Sequence, residues 1–312
     1  MWRIIGRMAP MERLVRGAPG IMSVLIVARS NTEWERVRLG MGRGHVFVPT
    51  MGALHAGHAV LVNRGVKEAR ERGLAGCTVS IFVNPTQFNE KSDYDRYPRT
   101  IDADLAVCEK AGAAAVFVPR AEDVYPAGVD IRVPRLPGVA TRPGLEDARR
   151  PGHFAGVCQV VARLFELVQP AAAVFGEKDW QQLAVVRAMV AQEAMKIEII
   201  GAPTVRECDG LAMSSRNRFL AADDRLRALA ISRALCAACG ENAPDNAEAA
   251  MRRVLQDAGV EPEYAVVRDA ATLERPEIGR SVDSVRWRAL IAARVGSVRL
   301  IDNCAWGSTV AR

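Results

Sequence analysis

From Met22 onward the chain alternates short apolar runs with segments whose apolar residues recur every three to four positions. That alternation predicts strand, helix, strand, repeated. The strand-like run Ser23-Val-Leu-Ile-Val27 opens the series, with its strand placed over 23–28. A helix over 31–41 follows, with Ser30 or Asn31 as its N-cap. Glycines 40, 42 and 44 turn the chain into a strand at 45–49, and the next helix, about 57–72, stops at Gly73. Cys77 to Val83 is apolar and β-branched, as a strand buried on both faces is. Helix 100–112, strand Ala115–Val118, a Pro- and Gly-rich irregular stretch at 119–152, helix 155–168, strand 172–175, helix 179–193 and strand 197–200 continue the order.

Repeated βα units imply a parallel sheet with right-handed crossovers, and ligands of such sheets sit beyond the carboxyl ends of the strands. The turns after the strands, at 49–58, 84–98 and Gly176-Glu-Lys-Asp179, are therefore expected along one crevice. Beyond about Val205 the pattern changes to Ala-rich helices at 222–240 and 246–258, then strands Tyr264–Arg268, Arg288–Val295 and Val298–Asp302. The expected architecture is α/β, a Rossmann-like parallel-sheet domain over 22–204 and a smaller C-terminal α+β lid domain over 205–312. A length of 312 residues suits two domains.

Composition changes this picture little. No apolar run approaches the ~18 residues of a membrane span. The formal charge is +6, but residues 1–21 contribute half of it, with Arg3, Arg7, Arg13 and Arg16 against Glu12 alone. The body is only mildly basic, which suits an anionic small substrate at least as well as a nucleic-acid groove. Residues 1–21 fit an upstream start or a transit peptide and are left out of the fold. Seven cysteines, an odd number, are read as buried free thiols of a reducing cytosol. Cys236-x-x-Cys239 has no second Cys or His pair after it and lies within a helical pattern, where the two simply share a face.

The chemistry concentrates in a few turns. Pro49-Thr-Met-Gly-Ala-Leu-His-Ala-Gly-His58 reads as strand, tight turn, helix, and holds two of the chain's four histidines. Unsatisfied N–H groups and the helix dipole make such a terminus a natural phosphate site. Gly57 removes a side chain where a nucleotide would lie. Asn84-Pro-Thr-Gln-Phe88 presents neutral amides, Asn84 and Gln87, suited to a hydroxyl or carboxylate. Lys178 opens a helix and can reach phosphate as a point charge, unless Glu177 or Asp179 holds it in a surface ion pair. Asp209-Gly-Leu-Ala-Met-Ser-Ser-Arg216 offers two hydroxyls and a guanidinium on a loop able to close over a triphosphate. The plain alternative is a Ser-rich linker.

Taken in order with Tyr97-Pro-Arg-Thr100, Arg150-Pro-Gly-His-Phe-x-Gly-Val157, Phe175-Gly-Glu-Lys-Asp-x-Gln-Gln182 and Leu300-Ile-Asp-Asn303, these segments resemble the pantoate–β-alanine ligases. That family lies within the nucleotidyl-transferring superfamily related to class I aminoacyl-tRNA synthetases. The resemblance runs from Met22 to Asn303. It implies ATP-dependent joining of (R)-pantoate to β-alanine through a pantoyl adenylate, releasing AMP and pyrophosphate. It further implies ATP contacts from Met51, Gly52, Ala53, Leu54, His55, Ala56, Gly57 and His58, from Gly176, Glu177, Lys178 and Asp179, and from Val205, Met213, Ser214, Ser215 and Arg216. His58 would be the proton-donating catalytic residue, supported by His55 and Lys178, while Gln87 and Gln182 would bind substrate. Mg²⁺ on the phosphates (its protein ligands unassigned), a homodimer and a cytoplasmic setting are also implied. Departures are Trp180 for Phe, Gln159 for Thr, and Thr86 for Met, the last with an expected effect on the pantoate pocket. Against this stand another small-carboxylate adenylating or nucleotidyl-transferring enzyme, a tRNA ligase, which should carry a basic or aromatic anticodon-binding domain, and a non-catalytic nucleic-acid binder, which should lack the phosphate-handling residues.

Overall fold

A computed structural model describes residues 13–14, 25–42, 44–87, 94–95, 97–275 and 286–306. The start of the first expected strand, Phe88 and part of the 84–98 loop lie outside them, as does most of 1–21. Within 1–21, Arg13–Leu14 (β1) pair antiparallel with Leu25–Ala28 (β2) at the edge of the large sheet.

The other strands of that sheet are Val46–Thr50 (β3), Cys77–Ile81 (β4), Ala115–Phe117 (β5), Ala172–Gly176 (β6) and Glu198–Ala202 (β7), in the order β1-β2-β5-β4-β3-β6-β7. From β2 to β7 all neighbours are parallel. Side chains alternate across the sheet, so Phe47 enters one core and Val46 and Val48 the other. On the Phe47 side lie the helices Asn31–Met41 (α1), His153–Val168 (α4) and Trp180–Gln192 (α5), and on the opposite side Ala56–Glu71 (α2) and Ile101–Lys110 (α3). Ser30 caps α1 by accepting the Glu33 N–H at 3.3 Å. The stretch read as irregular, 119–152, contains one-turn helices at Ala121–Val124 and Glu146–Arg149.

Strands β3, β4 and β5 succeed one another in one direction across the sheet, and β6 and β7 lie on the other side of β3. The order reverses between β3 and β6, which opens the crevice where such sheets bind ligands.

The smaller sheet is antiparallel, with Trp287–Val295 (β9) between Pro262–Asp269 (β8) and Val298–Ala305 (β10). Along β9 the side chains of Ala289, Ile291, Ala293 and Val295 pack with helices Ala222–Cys239 (α6) and Pro244–Asp257 (α7). Leu290, between them, joins the core of the large layer instead. The small sheet is thus packed on both faces, and its inner face roofs the crevice. Glu146 ties the two parts together, accepting from Arg299 at 2.6 and 2.8 Å and from the Tyr264 hydroxyl at 2.8 Å.

The cysteines depart from the expectation of uniform burial. Cys77, Cys108 and Cys158 are buried, but Cys208 and Cys236 are exposed, and Cys239 and Cys304 are half-buried with sulfurs 3.7 Å apart. Cys236 lies on the solvent side of α6, while Cys239, one turn on, is turned partly inward toward Cys304.

Candidate active site

A cleft of about 280 Å³ lies beyond the carboxyl ends of β3 and β6. Its wall is built first by the turn after β3. Gly52 has φ +82° and Ala53 φ +51°, a left-handed pair that reverses the chain between strand and helix. The Asp104 carboxylate on α3 accepts the N–H groups of Ala53 at 3.0 Å and Leu54 at 2.7 Å, so this turn is fixed from outside. Thr100 donates its hydroxyl to the same carboxylate at 3.1 Å.

His55 and His58 then open α2. The His55 N–H donates to His58 Nδ1 at 3.2 Å, and the Gly57 N–H donates to His55 Nδ1 at 3.1 Å. An Nδ1 that accepts from backbone carries no proton, so in each neutral ring the N–H sits on Nε2. Burial foremost, then the neighbouring His55, lowers the His58 pKa to about 3. Burial, then Lys178 and Arg218, lowers that of His55. Both rings, 4.1 Å apart between centroids, are therefore neutral hydrogen-bond donors at pH 7. Gly57 matters for a nearer reason than room for a nucleotide: a Cβ there would lie 2.9 Å from the His55 ring.

The turn after β6 supplies Lys178 and Asp179. Glu177 does not hold Lys178, because its carboxylate pairs with Arg288 at 3.1 Å. Arg288 in turn stacks 3.3 Å from the Trp180 ring centroid, and Trp180 Nε1 donates to the Ala270 carbonyl at 2.8 Å. Lys178 does form a long ion pair with Asp179, at 3.9 Å and without a hydrogen bond, and both residues line the cleft. Burial pushes the Asp179 pKa up, but Lys178, Arg216 and Arg150 outweigh it and hold the carboxylate below its ordinary range. Asn303 on β10 clamps the turn by donating to the carbonyls of Glu177 and Lys178, both at 2.9 Å, while accepting from Arg288 at 2.8 Å.

The third side is the 205–217 loop. Met213 N–H donates to the Val205 carbonyl at 2.9 Å, Arg206 and Ala212 form a bridge, and Asn217 donates to Glu207 at 2.6 Å. Ser214 caps the following turn by accepting the Arg216 N–H at 3.2 Å. Tyr97, in the loop after β4, lines the same cleft as Ser215.

Phe82, Phe154, Val157, Val160, Val161, Leu164 and Phe175 give the cleft an apolar lining, and Gln87 and Gln182 line it as well. The neighbouring Gln181 also lines the cleft, but its amide is engaged, donating to the Val139 carbonyl and Asp147 and accepting the Glu146 N–H. The Asn84 amide donates to the Gly156 carbonyl at 3.3 Å, and its oxygen accepts from Tyr125 at 2.9 Å and Thr86 at 3.1 Å. Thr86 thus faces Asn84 and is not among the lining residues, and Gln159 is engaged at 2.7 Å by the Ile131 carbonyl.

Of the expected residues, Met51, His55, Gly57, His58, Gly176, Lys178, Asp179, Val205, Met213, Ser214, Ser215, Arg216, Gln87 and Gln182 line this one cleft. Gly52, Ala53, Leu54, Ala56 and Glu177 are not among its lining residues. Residues without an expected role also reach it or build it: Arg150, His153, Asp302 and Asn303 line it, and Asp104 holds its first turn. The segments of the first four belong to the resemblance and that of Asp104 does not, and no local spacing marks any of these side chains.

The pantoate–β-alanine ligase family model matches residues 26–305. The chain belongs to that family. It is 50% identical over 266 residues to the pantothenate synthetase of a Nocardioides species, covering 82% of this chain and 77% of that one. With the pantothenate synthetase of Acidothermus cellulolyticus it shares 46% over 288 residues, 89% of this chain and 90% of the other. Among solved structures, pantothenate synthetase from Thermus thermophilus superposes with a TM-score of 0.79 at 40% identity, covering 89% and 98% of the two chains. Pantoate-β-alanine ligase from Francisella tularensis, complexed with β,γ-ATP and β-alanine, gives 0.72 at 30% identity and covers 90% and 97%. The chain is accordingly an ATP-binding ligase that joins pantoate to β-alanine. Among the described residues no helix is long and apolar enough to cross a membrane.

Proposed function

We propose that the reaction proceeds through a pantoyl adenylate, with ATP held between the His55–His58 turn, Lys178 and the Ser214–Arg216 loop. In the first step the pantoate carboxylate attacks the α-phosphorus, a P–O bond forms, and pyrophosphate leaves. Charge gathers on the phosphoryl oxygens and the departing group. The two Nε2–H groups, the Lys178 amine, the Ser214 and Ser215 hydroxyls and the Arg216 guanidinium are donors preorganised for that charge. His58 acts in this reading by donating a hydrogen bond rather than by releasing a proton, because burial holds its pKa near 3.

Pantoate would place its gem-dimethyl group against the apolar lining of the cleft and its hydroxyls toward Gln87 and Gln182. In the second step the neutral amine of β-alanine attacks the acyl carbon, the C–N bond forms, and the bond to AMP breaks. Positioning and exclusion of water govern that step. Residues 22–204 would form the substrate-binding unit and 205–312 its lid. Among the described residues no cluster of three His, Cys, Asp or Glu forms a metal cage. Mg²⁺ is therefore proposed to enter on the ATP phosphates, and no step is assigned to it. The homodimer and the cytoplasmic setting belong to the same proposal, the latter supported by seven unpaired thiols.

The observation that carries this reading is the convergence of both histidines, Lys178, Arg216, Gln87 and Gln182 on one cleft at the strand-order reversal. The test is pyrophosphate release in a single turnover. ATP and pantoate should release it without β-alanine, and pantothenate should form only when β-alanine is added. Release that needs β-alanine would sink the two-step reading.

A further inference from the structure

Arg150 is the cation of this cleft that the reaction above leaves without a task. It sits just after the one-turn helix Glu146–Arg149 and lines the cleft. Its Nη1 donates to His153 Nε2 at 3.1 Å. His153 Nδ1 lies 3.4 Å from the Gln87 carbonyl, which can only accept, so the ring proton is on Nδ1 and Nε2 is the acceptor. Burial above all, then Arg150 itself, lowers the His153 pKa to about 4, so the ring does not compete as a cation. Arg150 is thus strung through His153 to the backbone of Gln87.

Among the described residues no carboxylate hydrogen-bonds to it. Glu146 makes only a long ion pair with it, at 4.0 Å, and both its oxygens accept from Arg299 and Tyr264. Among the described residues, the Nε and Nη2 donors of Arg150 have no protein partner. A guanidinium is a planar fork matched to a carboxylate, and one fixed in a cleft with its donors unspent is built for an anion that arrives. Three anionic groups enter this reaction. The triphosphate has Lys178, Ser214, Ser215 and Arg216, and the pantoate carboxylate is consumed at the α-phosphorus. The carboxylate of β-alanine remains.

We propose that Arg150, held by His153, receives the carboxylate of β-alanine and so aims its amine at the acyl carbon beside Gln87. The inference rests on the ligase reaction. It assigns selection of an amino acid over a simple amine to Arg150, with His153 as a positioning residue.

The test compares β-alanine with n-propylamine, which has an amine on a three-carbon chain but no carboxylate, as acceptors for wild type, Arg150→Met, Arg150→Lys and His153→Asn. Pyrophosphate release from ATP and pantoate alone should stay within about twofold of wild type in Arg150→Met. Its kcat/KM for β-alanine should fall by roughly 10²-fold, mostly through KM, while that for n-propylamine changes little. Arg150→Lys should recover part of the preference and His153→Asn should lose part of it. Equal losses for both acceptors would show a merely structural role and overturn the proposal. A matching loss of pyrophosphate release would place Arg150 on the phosphates and overturn it too. Wild-type enzyme that releases no pyrophosphate with pantoate would instead refute the two-step reading on which the inference stands.

Discussion

The carboxylate of Asp104, on α3, lies 2.7 Å from the backbone nitrogen of Leu54, on the far side of β4 in sequence. With its second oxygen on Ala53 at 3.0 Å, it fixes a turn whose left-handed Ala53 would not hold itself. Two residues later that turn delivers His55.

Asp104→Asn removes the charge and faces an NH₂ toward one of the two backbone donors. A buried donor left unsatisfied costs about 1–3 kcal/mol. The expected outcome is a stability loss of that order in urea unfolding, with a fall in kcat as His55 and His58 lose their frame. A variant with lower stability but unchanged single-turnover adenylation would show that the turn holds without Asp104.

His58→Ala should slow adenylation by roughly 10²–10³, the usual loss for a transition-state donor. Since the folded ring titrates near pH 3, kcat/KM for ATP should show no acid limb from His58 between pH 5 and 8. A limb near pH 6.5 that disappears in His58→Ala would contradict the neutral-donor role.

Stability should fall on acidification through burial of His45. The ring is 1% exposed, stacks edge-on with Trp34, and leaves Nε2 without a partner. Burial first, then Arg38, lowers its pKa to about 4 from an ordinary 6.5. Between those values the unfolded chain binds a proton that the folded chain refuses. The stabilisation is whole above pH 6.5 and is lost as pH falls toward 4, by up to about 1.4 kcal/mol per pH unit. His45→Phe should lessen the dependence of the unfolding midpoint between pH 7 and 5, leaving the share of His55, His58 and His153, whose pKa values are also lowered. An unchanged slope would rule His45 out as a source.

The packing of Gly156 is as tight as any in the cleft. A Cβ there would fall 2.4 Å from the Thr86 carbonyl oxygen, which is backbone and cannot swing aside. Gly156→Ala should therefore displace the Asn84–Gln87 turn from α4, costing about 1–3 kcal/mol and raising KM for pantoate more than KM for ATP. Equal rises in both would disconnect this turn from pantoate.

These residues mark where sequence reading stops. The βα series was legible because a strand buried on both faces and an amphipathic helix leave different periods, and observed ends fall within a few residues of the expected ones. His55, His58, Lys178 and Gln87 were legible because each belongs to a turn that follows an apolar strand, and the Ser-Ser-Arg loop because a turn signal stands beside two hydroxyls and a guanidinium. Asp104, Arg150 and Asn303 have no such local mark. Asp104 acts on a backbone 51 residues away and Asn303 on one 126 away, and only the fold brings those pairs together. The short helix at Glu146–Arg149 was lost for a similar reason. Its glutamate is buried by Arg299, 153 residues on, in a stretch whose prolines and glycines read as irregular.

Asn303 offers the sharpest separation of holding from merely filling. Its Nδ2 donates to the carbonyls of Glu177 and Lys178, and its Oδ1 accepts from Arg288. Asn303→Ala loses all three bonds. Asn303→Asp keeps an acceptor for Arg288, indeed a charged one, but turns a carboxylate oxygen toward two carbonyl oxygens. If the amide donors place Lys178, both variants should raise KM for ATP and lower the adenylation rate by about ten- to a hundredfold, the aspartate no less than the alanine. One lost hydrogen bond to a charged or buried group is worth about 1–3 kcal/mol, which spans that range. Should Asn303→Asp retain wild-type adenylation while Asn303→Ala does not, the bond to Arg288 would be what holds the turn. Lys178 would then be placed through Glu177 and the Arg288–Trp180 stack.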